Sequence, residues 1–149
     1  MLTFIEAKFH FSYISKIFIH YFYNFYISKA LIYFNSVCVI SFLVFAYLNF
    51  NDPDWYLWVP IYLSAAGCCG FALAGLTYPT IYQLLMSFYL IYALLLFFQK
   101  DGVRDWILKY HTPSLVETMQ TNKPYIEKTR EFFGLLIITS AVFINYLSL

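Results

Sequence analysis

The chain has 149 residues, of which 62% are hydrophobic, 23% aromatic and 11% charged, and its net charge is +1. A soluble domain carries roughly 25% charged residues, and a nucleic-acid binder needs a basic surface to neutralise phosphates. Composition therefore excludes an ordinary soluble enzyme, a disordered chain and a nucleic-acid binder; it leaves a small integral membrane protein whose first partner is the lipid bilayer.

Residues 1–29 mix Phe, Tyr and Ile with Glu6, Lys8, His10, Lys16, His20 and Lys29. The polar residues at 8, 12, 16, 20, 24 and 28 form a stripe. Its four-residue period drifts about 40° per step against an α-helix, so the stripe winds around it. A full span would also bury Lys16 near its centre, at a cost of several kcal/mol. The segment reads as an aromatic interfacial extension in preference to a fifth span; translation from too early a start would leave the same pattern. Lysines interrupt its apolar part and no small-residue cleavage site follows, which argues against a secretory signal.

Beyond it, the charges leave three empty blocks: 22 residues between Lys29 and Asp52, 45 between Asp54 and Lys100, and 18 after Glu131. A helix crossing a hydrocarbon core of about 30 Å needs roughly 20 apolar residues. The first block supplies a span at about 30–50 and the last one at about 132–149. The middle block holds two, about 55–76 and 79–98, divided at Gly75-Leu76-Thr77-Tyr78-Pro79. The apolar runs are continuous and do not alternate, so helices are expected and barrel strands are not. The expected fold is all-α: a four-helix transmembrane bundle forming one domain over residues 30–149.

Several residues mark the ends of these spans. Trp55, Tyr56 and Trp58 open the second span and Tyr78 and Tyr82 lie near the start of the third, where amphipathic rings prefer the headgroup level. Asp52 is expected to cap the second span, with Pro53 in the first helical position and Asp54 in the first turn. Within that span Ala66, Gly70 and Ala74 recur every four residues beside Gly67. Small residues at this spacing let helix backbones approach closely, so they form a candidate helix-packing face.

Residues 100–131 hold 11 of the 17 charges. Val103, Trp106, Ile107 and Tyr110 follow the spacing of an amphipathic helix, giving an interfacial helical loop between the third and fourth spans. Thr112-Pro113 and Ser114-x-x-Glu117 are alternative starts for a second short helix. Lys123-Pro124 opens a third, expected to run unbroken into the last span. The loop's six Lys and Arg, against three on the opposite side, lean it toward the cytoplasm.

Chemistry-bearing residues are few. Cys38, Cys68 and Cys69 lie inside spans as small core residues, and His10, His20 and His111 share no metal-ligand spacing, so neither a metal nor a cofactor is expected. The intramembrane amides Asn35, Asn49, Gln83 and Asn145 are expected to bond between helices. With four spans, Asp52 and Asp54 share a membrane face with Glu127, Arg130 and Glu131. The plainer reading is a helix cap beside an ion-paired, solvated helix end. The sharper one is a polar pocket bordered by Trp58 and Tyr62, in which Arg130 pairs with the loop carboxylates or a cation is held.

Two segments carry a family resemblance. Phe50-Asn51-Asp52-Pro53-Asp54 followed by Trp58 and Tyr62, and Glu127-x-x-Arg130-Glu131-x-x-Gly134-Leu135-Leu136-Ile137, resemble the transmembrane protein 220 family, small four-helix membrane proteins of bacteria and animals. The resemblance covers about residues 28–149 and implies four spans and no assigned activity. Trp106 and Lys123-Pro124 resemble the bacterial branch, which implies a bacterial inner membrane.

The leading functional expectation is a non-enzymatic structural or accessory subunit that packs against a membrane-protein partner or a second copy. The competing one is a protein or enzyme that binds a lipid or small amphiphile at the polar cluster. A channel or transporter has least support, because no carboxylate lies within the spans.

Overall fold

The computed structural model describes residues 28–76, 78–116 and 123–148. The expected aromatic extension falls almost wholly outside them, as do Thr77 and residues 117–122. The described chain is all-helical, with no strand. Its elements are α1 (Ser28–Asn51, closing in a 3-10 turn over Asn49–Asn51), α2 (Trp55–Leu73), α3 (Pro79–Phe98), the short α4 (Val103–Leu108) and α5 (Pro124–Leu147). Helices α1, α2, α3 and α5 are each long and apolar enough to cross a membrane. At 1.5 Å per residue even the shortest, α2, is about 28 Å long, which matches the hydrocarbon core.

Local chemistry explains where each helix stops. Asp52 is extended, at φ −86° and ψ 149°, the conformation that the following Pro53 enforces. Helix α2 starts at Trp55, as the span bounds suggested, but its N-cap is Asp54 and not the expected Asp52, and Asp54 makes no side-chain capping bond. At the far end of α2, Gly75 adopts φ +70°. Its N–H donates to the Ala72 carbonyl at 3.2 Å and the Leu76 N–H to Phe71 at 2.9 Å. This paired closure needs a left-handed residue, which glycine supplies at little cost. Pro79 then opens α3, where its missing N–H is harmless.

The turn after α3 is tighter. A Cβ on Gly102 would overlap the Leu96 carbonyl oxygen and sit 2.8 Å from that of Gln99, so only glycine fits. Asp101, at φ 55°, is held by its neighbours: its N–H donates to Asp105 at 2.8 Å and its carboxylate accepts from the Tyr110 hydroxyl at 2.9 Å. Lys109 pairs with the same carboxylate at 3.8 Å. The Tyr110 contact first, and the Asp101 and Asp105 charges after it, raise the Lys109 pKa above the usual lysine range. Of the expected amphipathic face, Val103 is buried, Trp106 and Tyr110 are half-buried, and Ile107 is exposed. Tyr110 stacks on Tyr125 of α5 with ring centroids 3.8 Å apart.

No helix begins at Thr112-Pro113 or among residues 114–116. The Trp106 indole donates to the Pro113 carbonyl at 3.1 Å and the Thr112 N–H to Trp106 at 3.0 Å, which turns the chain back over α4. The last span is one unbroken helix from Pro124, so its first two turns carry Glu127, Lys128, Arg130 and Glu131 ahead of the uncharged stretch.

The core lies where α2, α3 and α5 meet, with Ile61, Ala65, Tyr82, Tyr89, Leu135 and Ile138 buried, and α1 adds Phe42. Tyr82 is fully buried and donates to the Cys68 carbonyl at 2.9 Å; Tyr89 shares a 2.7 Å bond with Ser64. Tyr82 and Trp58 thus leave the expected aromatic belt for the interior, because each finds an internal partner for its polar atom. At the end of the bundle away from the charged loop, Asn35 of α1 and Asn145 of α5 exchange two hydrogen bonds, at 2.8 and 2.7 Å. Gln83 of α3 reaches Tyr146 of α5 at 2.8 Å, whereas Asn49 bonds the Phe45 carbonyl of its own helix. Among the described residues, every buried side-chain nitrogen and oxygen has a hydrogen-bond partner.

Candidate functional site

The opposite end of the bundle carries the polar cluster. Asp54, at the start of α2, accepts a 2.8 Å hydrogen bond from the Trp58 indole one turn later. Helical spacing sets this contact, since residues four apart share a face. Trp58 is only 3% exposed, and its ring lies 6.0 Å from Tyr62 and 5.9 Å from Tyr92 of α3, centroid to centroid. Tyr62 in turn lies 5.6 Å from Phe45 of α1, and a Cβ on Gly134 of α5 would meet its hydroxyl at 3.6 Å. All four spans therefore contribute to one aromatic nest.

Glu131 enters this nest from α5. It is half-buried and lies three residues before Gly134, so helical spacing puts it on the side of α5 that meets Tyr62. Two acids thus lie at one nest, with Asp54 bonded to the Trp58 indole and Tyr62 and Tyr92 packed on its ring. A group that neutralised them would be a cation or the head of a cationic amphiphile, which carboxylates and aromatic faces both attract.

The remaining candidates disperse. Asp52 and Glu127 are exposed. Arg130 directs its Nε to the Leu115 carbonyl at 2.6 Å, and Lys128 reaches the Lys100 carbonyl at 2.7 Å. Both cations thus tie α5 to the loop. Among the described residues, the pair within salt-bridge distance is Lys109–Asp101, and no group of three His, Cys, Asp or Glu is placed to hold a metal. The sequence reading missed Tyr92. A tyrosine in the last third of an apolar span carries no local signal; only packing of α3 on α2 brings it to Trp58.

The small-residue quartet also divides. Ala66 is buried in the core, Gly67 and Gly70 are half-buried, and Ala74 is exposed. A Cβ added to Gly67 or Gly70 would meet nothing within 4 Å. Those two glycines thus leave room on the outward side of α2 that the described fold does not use.

A family model described as Transmembrane family 220, helix, matches residues 41–147. No curated protein and no solved structure matches the chain.

Proposed function

The chain belongs to transmembrane family 220, and on that premise we propose that it is a non-enzymatic accessory subunit, which packs the outward ridge of α2 against a helix of a second membrane protein. It is a multi-pass integral membrane protein; in this reading its membrane is the bacterial inner membrane. The observation that carries the proposal is the open space beside Gly67 and Gly70. Lipid gives helices little hydrophobic drive to associate, so close backbone approach along small residues supplies much of the contact. The interior supports the same role, since its amides and hydroxyls are taken up in holding the helices together.

The test uses the absence of neighbours beside Gly67 and Gly70 among the described residues. Gly67→Leu with Gly70→Leu adds bulk where the fold has room, so thermal stability in mild detergent is expected to stay within a few degrees of wild type. Assembly size, read by native mass spectrometry from gently solubilised membranes, is expected to fall to the 17.6 kDa chain. Recovery of the wild type as a clean monomer, or an unchanged assembly in the double variant, refutes the proposal.

A second reading rests on Asp54, bonded to the Trp58 indole, and on half-buried Glu131, one turn before Gly134 at the same nest. In it the nest at the bundle mouth binds the cationic head of a small amphiphile. Dodecyltrimethylammonium would then quench tryptophan fluorescence saturably in wild type and at least tenfold more weakly in Glu131→Gln. Equal quenching in both removes this reading.

A further inference from the structure

The charges of the turn after α3 sort by burial. Residues 100–109 carry three cations and two acids, and both acids are taken up within the turn. Asp105 accepts the Asp101 N–H at 2.8 Å. Asp101 accepts from the Tyr110 hydroxyl at 2.9 Å and pairs with Lys109 at 3.8 Å. Lys100 and Arg104, by contrast, are exposed, and among the described residues neither has a side-chain partner. Lys128 and Arg130 are already engaged with loop carbonyls. A segment of nearly balanced charge therefore presents a cationic edge. Among the described residues the exposed acids at this end are Asp52 and Glu127, which belong to the turn before α2 and the first turn of α5.

Packing sets the depth of that edge. Phe97 of α3 meets Phe132 of α5 with ring centroids 5.9 Å apart, which marks the level where both uncharged stretches end. Gly102 lies against the Leu96 carbonyl, so the chain has folded back onto the last turn of α3 before α4 begins. Lys100 and Arg104 are each two residues from Gly102, within about 7 Å of that level. The polar headgroup layer is about 5–7 Å thick on each side of a bilayer. Arg104, Ile107 and Leu108 stand at i, i+3 and i+4 and so share one side of α4. Ile107 is 43% exposed and Leu108 65%, while Val103 is buried and Trp106 half-buried on the bundle side. Bare aliphatic side chains beside a guanidinium are best accommodated together where headgroups meet acyl chains.

We propose that this outward side of α4 binds anionic phospholipids of the surrounding bilayer, with Lys100 and Arg104 on their phosphates and Ile107 and Leu108 against the glycerol region. The site is separate from both the α2 ridge and the Trp58 nest. It gathers anionic lipid at the corner between α3 and α4.

Each Lys or Arg near an anionic membrane surface contributes a preference of roughly fivefold. The experiment is native mass spectrometry of the full chain released from nanodiscs of equal parts palmitoyl-oleoyl phosphatidylglycerol and palmitoyl-oleoyl phosphatidylcholine, reading the ratio of the two lipids retained. Wild type is expected to favour phosphatidylglycerol roughly fivefold or more. Lys100→Gln with Arg104→Gln should bring the ratio toward parity. Arg104→Gln alone should lower it, and serves as the readout if the double variant loses its helical circular dichroism. Lys29→Gln, at the start of α1 and the other end of the bundle, should leave it unchanged. Wild type without a preference, charge variants that keep it, or a Lys29→Gln variant that loses as much overturns the site. Ile107→Ser with Leu108→Ser should reduce the phosphatidylglycerol retained, and an unchanged amount overturns the aliphatic contact.

Discussion

Replacing Asn145 by leucine tests what joins the first and last spans. Asn35 and Asn145 are each 2% exposed and exchange two hydrogen bonds across 110 residues of sequence. Asn145 also donates to the Ala141 carbonyl at 3.2 Å. Asn145→Leu keeps the side chain's approximate bulk and removes both bonds to Asn35, together with a weak 3.7 Å bond to the Cys69 sulfur of α2. Interhelical hydrogen bonds in membrane proteins average about 0.6 kcal/mol and reach about 1.7, so two give roughly 1–3 kcal/mol. The cost of stranding a buried polar group, here the Asn35 amide, is also about 1–3 kcal/mol. Both estimates centre near 2 kcal/mol, the loss expected for either single variant. Asn35→Leu with Asn145→Leu leaves no orphaned amide, and replacing both partners is nearly neutral. The double variant is thus expected within about 1 kcal/mol of wild type, which gives a coupling of about 3 kcal/mol, at the upper end for residues in contact. The assay is reversible unfolding in mixed micelles by titration with sodium dodecyl sulfate, followed by circular dichroism. A double variant that loses the sum of the two single losses would show that the amides contribute independently.

Two further substitutions test the turns. Gly102→Ala places a methyl against the Leu96 and Gln99 carbonyls; it is expected to cost at least the ~1–3 kcal/mol of an overpacked site, and an unchanged melting temperature would contradict that packing. Asp52→Ala separates the two accounts of the α2 start. A capping aspartate would cost about 1 kcal/mol when removed, whereas an exposed residue outside the helix should stay within about 0.5 kcal/mol.

The spans were legible because the bilayer imposes a long, unbroken apolar pattern that composition alone exposes. Pro79 and Pro124 marked their helix starts because proline suits a first turn and little else in a helix. Asp52-Pro53 misled because an extended residue before proline suits a turn as well as an N-cap, and here residues 52–54 form a turn ahead of the helix. The Asn35–Asn145 pair was half legible. Rare amides in apolar segments signal interhelical bonding, yet nothing local says which amide meets which, and Asn49 resolved its needs within its own turn. The polar cluster divided along burial. Asp54, Trp58, Tyr62 and Glu131 met because helical register and packing direct them inward, while Asp52 and Glu127 stayed in the open and Arg130 took a loop carbonyl that no spacing rule predicts. In the small-residue face, the four-residue rhythm was visible, but which side of the helix it occupied depended on where the neighbouring helices pack.

The Asn35–Asn145 pair also orders events during synthesis. Chains elongate at roughly 5–20 residues per second, so the 110 residues separating the two amides take roughly 5–20 seconds to emerge. Throughout that interval Asn35 sits in a span whose interhelical partner has not yet been made, and insertion of the last helix supplies it. A chain cut short before Asn145 would lack both bonds to Asn35, so this link between the first and last spans forms only once the C-terminal span is in place.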